Sequence, residues 1–256
     1  MASSWGRMTR GKGKRKAVEL TEEPKPGETS TEIPSSKSKK AKPDVAPETD
    51  KVVKKKIPRV LLCFTGSVAT IKAKHVIAAF LKRPCDVSVI FTNAAKKFID
   101  VDEVMRMKEE NFTLKPNGVF KGVFTDDTEW RNWKTIGDLV THIELRKWAT
   151  HLVIAPLSAN TLSKMANGLC DNLLTCVWRA WDFDNQRKKV FVAPAMNTAM
   201  WKNPFTGKHL ASLTGFPFNV QIIDPAEKTL ACGDTGVGAM AEPETIAFRV
   251  LGPVAE

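Results

Sequence analysis

Val60-Leu61-Leu62-Cys63-Phe64-Thr65-Gly66-Ser67 is a run of five apolar residues closed by a hydroxyl, a glycine and a second hydroxyl. An apolar run this short, without polar alternation, predicts a strand buried on both faces, as in a parallel sheet. Beyond it Ile71, Val76, Ile77, Phe80 and Leu81 recur at helical spacing, and Val87–Phe91 reads as a second strand. Strand, helix and strand in that order predict a crossover unit.

The pattern continues outward. His142–Ala149 reads as a short amphipathic segment and Leu152–Ala155 as a third strand. A helical stretch from about Thr161 to Trp181 follows, then strands at Val190–Ala193 and Val220–Ile223 and a last helix at Glu244–Leu251. Met105–Val123 is weakly patterned and reads as a loop or insertion. The expected fold class is α/β: a doubly wound, mostly parallel, Rossmann-like sheet in a three-layer sandwich.

Residues 1–56 are of another kind. They are rich in Lys, Glu, Ser, Thr and Pro and hold 15 Lys/Arg against 8 Asp/Glu, whereas residues 57–256 hold 24 against 20. Most of the net charge of +11 therefore lies in the tail. Few apolar residues and no periodicity predict a disordered segment 1–56 followed by one domain, 57–256. Lys12–Lys16, Lys37–Lys42 and Lys51–Lys56 form basic clusters. They read either as a nuclear or anionic-surface address or as a solvated tail. No apolar run approaches the ~20 residues of a membrane span and no secretory h-region opens the chain, so a cytoplasmic location, with a nuclear one through the tail, is expected. Neither a membrane nor a nucleic acid is called for by the domain itself.

Cys63, Cys85, Cys170, Cys176 and Cys232 show no CxxC pair and no metal-finger spacing, so free thiols and no metal are expected. All but Cys232 stand among apolar residues and read as small core side chains. His75, His151 and His209 read as structural or surface residues.

In an open parallel sheet, ligands bind beyond the carboxyl ends of the strands. Those ends read Thr65-Gly66-Ser67-Val68-Ala69, Thr92-Asn93-Ala94, Ala155-Pro156-Leu157-Ser158-Ala159-Asn160-Thr161 and Ala193-Pro194-Ala195-Met196-Asn197. Each is built of small, hydroxyl- or amide-bearing residues. One such loop is as well explained by helix capping. Four on one edge predict an anion site made of helix N-termini and neutral donors, without a Walker lysine. There is no G-x-G-x-x-G fingerprint.

Five strings together, three of them drawn from these loops, resemble the homo-oligomeric flavin-containing cysteine decarboxylases, in particular their phosphopantothenoylcysteine decarboxylase branch. They are Gly66-Ser67-Val68-Ala69, Thr141-His142-Ile143-Glu144-Leu145, Ala155–Thr161, Pro194-Ala195-Met196-Asn197-Thr198-Ala199-Met200-Trp201 and Ala231-Cys232-Gly233-Asp234-Thr235-Gly236-Val237-Gly238-Ala239-Met240-Ala241-Glu242-Pro243. The resemblance runs from about Pro58 to about Leu251. It implies a flavodoxin-like fold and a homotrimer with FMN near the subunit contacts. FMN contacts then fall on Thr65, Gly66, Ser67, Thr92, Ser158, Ala159, Asn160, Thr161 and Ala195. Substrate contacts fall on Asn197, Lys147, Thr229, Leu230, Ala231 and Met240.

The implied reaction, in coenzyme A biosynthesis, takes phosphopantothenoylcysteine to phosphopantetheine with loss of CO₂. Oxidation of the cysteinyl thiol by the flavin places an electron sink β to the carboxylate, CO₂ leaves, and the ene-thiolate is reduced again. The resemblance makes His142 the acid–base group, Asn197 the amide that orients the carboxylate, and Cys232 the proton donor on a glycine-rich flap. Without it they read as a helix-capping histidine, a turn residue and a loop thiol. Against the family pattern, Lys147 replaces the second of two arginines, Lys228-Thr229 replaces a basic pair, and Thr235 replaces a tyrosine. The rival readings are a peptidyl-cysteine decarboxylase, a flavin prenyltransferase, and a non-enzymatic regulatory subunit of a protein phosphatase.

Overall fold

β1 (Arg59–Phe64) is fully buried from Val60 onward, which demands cover on both faces. The computed structural model describes residues 57–114, 118–131, 133–229 and 235–254. The expected tail 1–56 lies outside the described residues, as do Leu230, Ala231 and Cys232. β1 lies in a six-stranded sheet with β2 (Asp86–Phe91), β3 (Val119–Thr125), β4 (His151–Leu157), β5 (Lys189–Pro194) and β6 (Gln221–Ile222). The order is β3-β2-β1-β4-β5-β6 and every neighbouring pair is parallel. The direction of winding reverses between β1 and β4. The expected flavodoxin-like, doubly wound sandwich is therefore present.

Alternation along the strands divides the core in two. Val60, Leu62 and Phe64 face one layer, formed by α1 (Ala73–Leu81), α2 (Val101–Leu114) and α8 (Pro243–Leu251). Leu61 and Cys63 face the other, formed by α3 (Thr141–Trp148), α4 (Ala159–Asn167), α5 (Leu173–Arg179) and α7 (Pro204–Thr214). The short α6 (Thr198–Lys202) follows β5. A separate antiparallel hairpin pairs β7 (Ala226–Thr229) with β8 (Thr235–Ala239). Among the described residues no helix is long and apolar enough to cross a membrane.

Three expectations are corrected. The single helix from Thr161 to Trp181 is two. Gly168 closes α4 in the left-handed conformation (φ 72°), and Asn172 opens α5 with a capping box to Thr175. The loop at Met105–Val123 is instead most of α2 followed by the edge strand β3. α2 presents only a narrow stripe, Val101, Val104 and Met107, to the core, and β3 pairs on one side only, so neither writes a strong apolar pattern. Cys63 and Cys85 are core residues as expected, but Cys170, in the break between α4 and α5, is exposed and Cys176 is half-buried.

Candidate active site

Thr65, just beyond β1, ties the two central loops together. Its buried hydroxyl donates to Pro156 O at 2.8 Å and accepts from Ser158 N at 2.8 Å. The join stands where the winding of the sheet reverses, the place at which open α/β sheets hold ligands. Ser158 then caps α4: its Oγ accepts from Thr161 N at 3.3 Å and donates to Thr161 Oγ1 at 3.2 Å. Ser158 and Thr161 are buried, Ala159 is half-buried, and Asn160 is exposed on the first turn.

Gly66 meets the loop after β2. A Cβ at this position would stand 2.6 Å from Ala94 Cβ, so the two loops can approach this closely only with glycine there. Thr92 is buried; its hydroxyl donates to Phe64 O at 3.4 Å and accepts from Ala95 N at 3.3 Å. Ser67 opens the short turn Val68–Lys72 but makes no side-chain capping bond. Capping therefore does not account for that hydroxyl, although it does account for Ser158.

On the β5 side, Ala195 N donates to Leu157 O at 3.0 Å and Met196 N to Gly238 O at 2.9 Å. The second bond pins the β7–β8 hairpin to this loop. Gly238 has φ 136°, and a Cβ on it would stand 2.3 Å from Met196 O, so the dock requires glycine. Asn197 caps α6, its Oδ1 accepting from Ala199 N at 2.8 Å. Beside it, Thr198 Oγ1 is buried and has no hydrogen-bond partner among the described residues. Met240, the residue after β8, is buried in the core. Thr229 stands at the end of β7, opposite Thr235, and the following residues 230–234, with Cys232, are those outside the described set.

His142 stands at another corner. Asp126, at the exit of β3, accepts from Asn93 N at 2.9 Å and from Leu173 N at 3.0 Å, joining the β2 loop to the start of α5. Three residues on, Glu129 lies buried with Oε1 2.7 Å from His142 Nδ1. Cys176 is the third member of this corner; the donor atoms of Glu129, His142 and Cys176 lie within 4.8 Å of one another. Burial first, then the Glu129 charge, pushes the Cys176 thiol up to about 11, which keeps it protonated at neutral pH. Sequence spacing could not reveal this trio, since its members come from three separate elements.

The corner with His142 adjoins the exit of β3, and the loop with Asn197 follows β5. From β3 to β5 the sheet steps through four interstrand spacings of about 4.8 Å, roughly 19 Å along the rim. Lys147 sits towards the C-terminal end of α3, paired with Glu144 Oε1 at 2.8 Å on the exposed face. A groove of about 540 Å³ runs between α4 and α7 and adjoins the rim loops through Ala159. Phe205 and Met200 on its wall are 63% and 50% exposed, a large apolar surface to leave in water.

Residues 48–254 match the family model described as Flavoprotein. The phosphopantothenoylcysteine decarboxylase HAL3a of Glycine max is 51% identical over 189 residues, covering 74% of this chain and 81% of that protein. A solved structure of a cysteine-to-serine mutant of PPC decarboxylase, complexed with pantothenoylaminoethenethiol, is 48% identical with a TM-score of 0.64, over 76% of this chain and 97% of that one. The FMN binding protein AtHal3 is 48% identical with a TM-score of 0.63, over 76% of this chain and 95% of that one.

Proposed function

The chain belongs to the flavoprotein family, and on that premise we propose that it is an FMN-dependent lyase that decarboxylates phosphopantothenoylcysteine to phosphopantetheine in coenzyme A biosynthesis. The observation that carries the reading is the join made by Thr65 at the point where the winding reverses, with buried hydroxyls on both sides and no lysine in the loops. The rim fits a flavin phosphate. Among the described residues Thr198 Oγ1 is a buried polar atom without a partner, the Ser67 hydroxyl is not used in capping, and Gly66 brings two loop backbones together with no side chain between them.

Thr65, Gly66, Ser67, Thr92, Ser158, Ala159, Asn160, Thr161 and Ala195 would hold the cofactor. FMN, when bound, supplies a reversible two-electron acceptor for the cysteinyl carbon–sulfur unit of the substrate. His142 takes and returns a proton during the oxidative half of the cycle. Asn197 has its Oδ1 engaged by Ala199 N, so its contact with the substrate carboxylate runs through the Nδ2 donors. A neutral donor orients the carboxylate without holding it as an ion, which would oppose its departure as CO₂. Cys232 gives its thiol proton to the ene-thiolate, and the hairpin that carries it is pinned beside Asn197 through Gly238 and Met196. Thr229, Leu230, Ala231 and Met240 are the further substrate contacts in this reading; Leu230 and Ala231 lie outside the described residues.

The separation of the β3 and β5 exits along the rim favours a site shared between copies, in which one subunit's His142 faces the neighbour's Asn197 and Cys232. A homotrimer with the α4–α7 groove near its contacts is the assembly we propose; light scattering that returns a monomeric mass for the FMN-loaded protein would refute it. We further propose a cytoplasmic location, with the basic clusters of residues 1–56 acting as a nuclear address. A fluorescent fusion whose distribution is unchanged on deleting 1–56 would refute the address.

The central test is direct. Purified protein should show flavin absorbance and release CO₂ from phosphopantothenoylcysteine. His142→Asn should keep its FMN and lose turnover by at least ~100-fold. Cys232→Ser should stop before reduction, giving a product two hydrogens lighter by mass spectrometry. A colourless protein that cannot be reconstituted with FMN would end the proposal.

A further inference from the structure

Among the described buried polar and charged residues, Glu129 is the one carboxylate, and its side chain is 6% exposed. A carboxylate in such a place is costly unless it is paired. Among the described residues its side chain has one hydrogen-bonding partner, His142 Nδ1 at 2.7 Å. The arrangement is held at a second point: Thr141 Oγ1 donates to the Glu129 carbonyl at 2.8 Å. The turn after β3 thus grips both residues at the start of α3. That turn is itself fixed, by the Thr125–Thr128 capping box and by the two backbone N–H groups that Asp126 accepts. The Trp130 ring stands edge-on to the imidazole, with centroids 6.2 Å apart. The Cys176 thiol, the other group in the corner, donates to the Cys170 carbonyl at 3.4 Å, and its sulfur is only a weak acceptor beside a carboxylate.

We propose that Glu129 is the positioning residue of the acid–base histidine: its carboxylate holds the proton of His142 on Nδ1 and so presents Nε2 as the atom that exchanges a proton with substrate. This rests on the reading of His142 given above and adds a residue to it. The physical logic is that of any imidazole oriented by a carboxylate. An acceptor fixed at Nδ1 selects one tautomer and one ring orientation, and its charge stabilises the imidazolium that forms when Nε2 takes a proton. Glu129 touches neither substrate nor cofactor in this role.

The experiment uses Glu129→Gln and Glu129→Asp in the full-length, FMN-loaded protein. The imidazole ¹⁵N shifts of His142 report the tautomer, independently of turnover. They should show Nδ1 protonated in the parent protein and a mixed or reversed tautomer in Glu129→Gln, whose amide can donate to Nδ1 as well as accept from it. Steady-state kinetics should show kcat reduced at least ~10-fold with KM changed less than ~3-fold, because the substrate-binding groups are untouched. Glu129→Asp, too short to reach Nδ1, should lose the same tautomer preference while keeping the charge. Parent-like ¹⁵N shifts and a parent-like kcat in Glu129→Gln would overturn the proposal. If His142→Asn itself turned over normally, it is the acid–base reading of His142 that would fall, so the two failures are told apart.

Discussion

Gly66→Ala provides a steric test of the rim. Gly66 does not have a left-handed φ, so alanine meets no backbone penalty there and the whole effect is contact. The new Cβ would stand 2.6 Å from Ala94 Cβ, against about 3.8 Å for two carbons at their preferred separation. One of two loops leaving adjacent parallel strands must then move by roughly 1 Å. Overpacking of this size costs about 1–3 kcal/mol. Felt at the flavin site, that weakens FMN about 5- to 150-fold. The assay is titration of stripped protein with FMN, followed by quenching of flavin fluorescence. The other atoms near the new Cβ, all of Ala94, lie at 3.7 Å, an ordinary contact. Ala94→Gly in the Gly66→Ala background should therefore restore most of the affinity, and a double-mutant cycle should return a coupling energy close to the original loss. Undiminished affinity in Gly66→Ala, or no rescue by Ala94→Gly, would show that close approach of these loops is not what the glycine provides.

Further outcomes follow from other contacts. Burial, with Lys189 adding to it, pushes His151 down to about 4 in the fold, against 6.5 when unfolded. The unfolded chain binds that proton first as pH falls, so the His151 contribution to stability declines between pH 6.5 and 4 by on the order of 3 kcal/mol. Chemical denaturation across this range should show a shallower acid loss in His151→Gln than in the parent; equal slopes would contradict the assignment. Asp126→Ala removes the acceptor of two backbone N–H groups and should cost about 2 kcal/mol, read as a drop in Tm, with Asp126→Asn intermediate. Gly238→Ala drives a Cβ to 2.3 Å from Met196 O and should undock the hairpin, lowering decarboxylation while FMN absorbance persists. Parent turnover in that variant would remove the hairpin from the reaction.

The largely apolar stretches at Val60–Phe64, Val87–Phe91, Leu152–Ala155 and Val190–Ala193, broken only by Ser88, stated the sheet by themselves, because strands buried on both faces are nearly continuous apolar runs and polar loops must follow them. The rim residues were legible for the same reason: a loop at a strand end is local in sequence. Elements with one covered side were not. α2 and β3 bury only a stripe or an edge, and the break at Gly168 is decided by one left-handed residue inside an otherwise helical pattern. Glu129 shows the limit most clearly. In the sequence it is one acid in Asp126-Asp127-Thr128-Glu129, indistinguishable from the half-buried Asp126 and the exposed Asp127. Only the fold, by closing the β3 turn onto α3 and α5, takes that carboxylate out of water and leaves His142 as its partner, because burial is a property of what surrounds a residue and is not written in the residue itself.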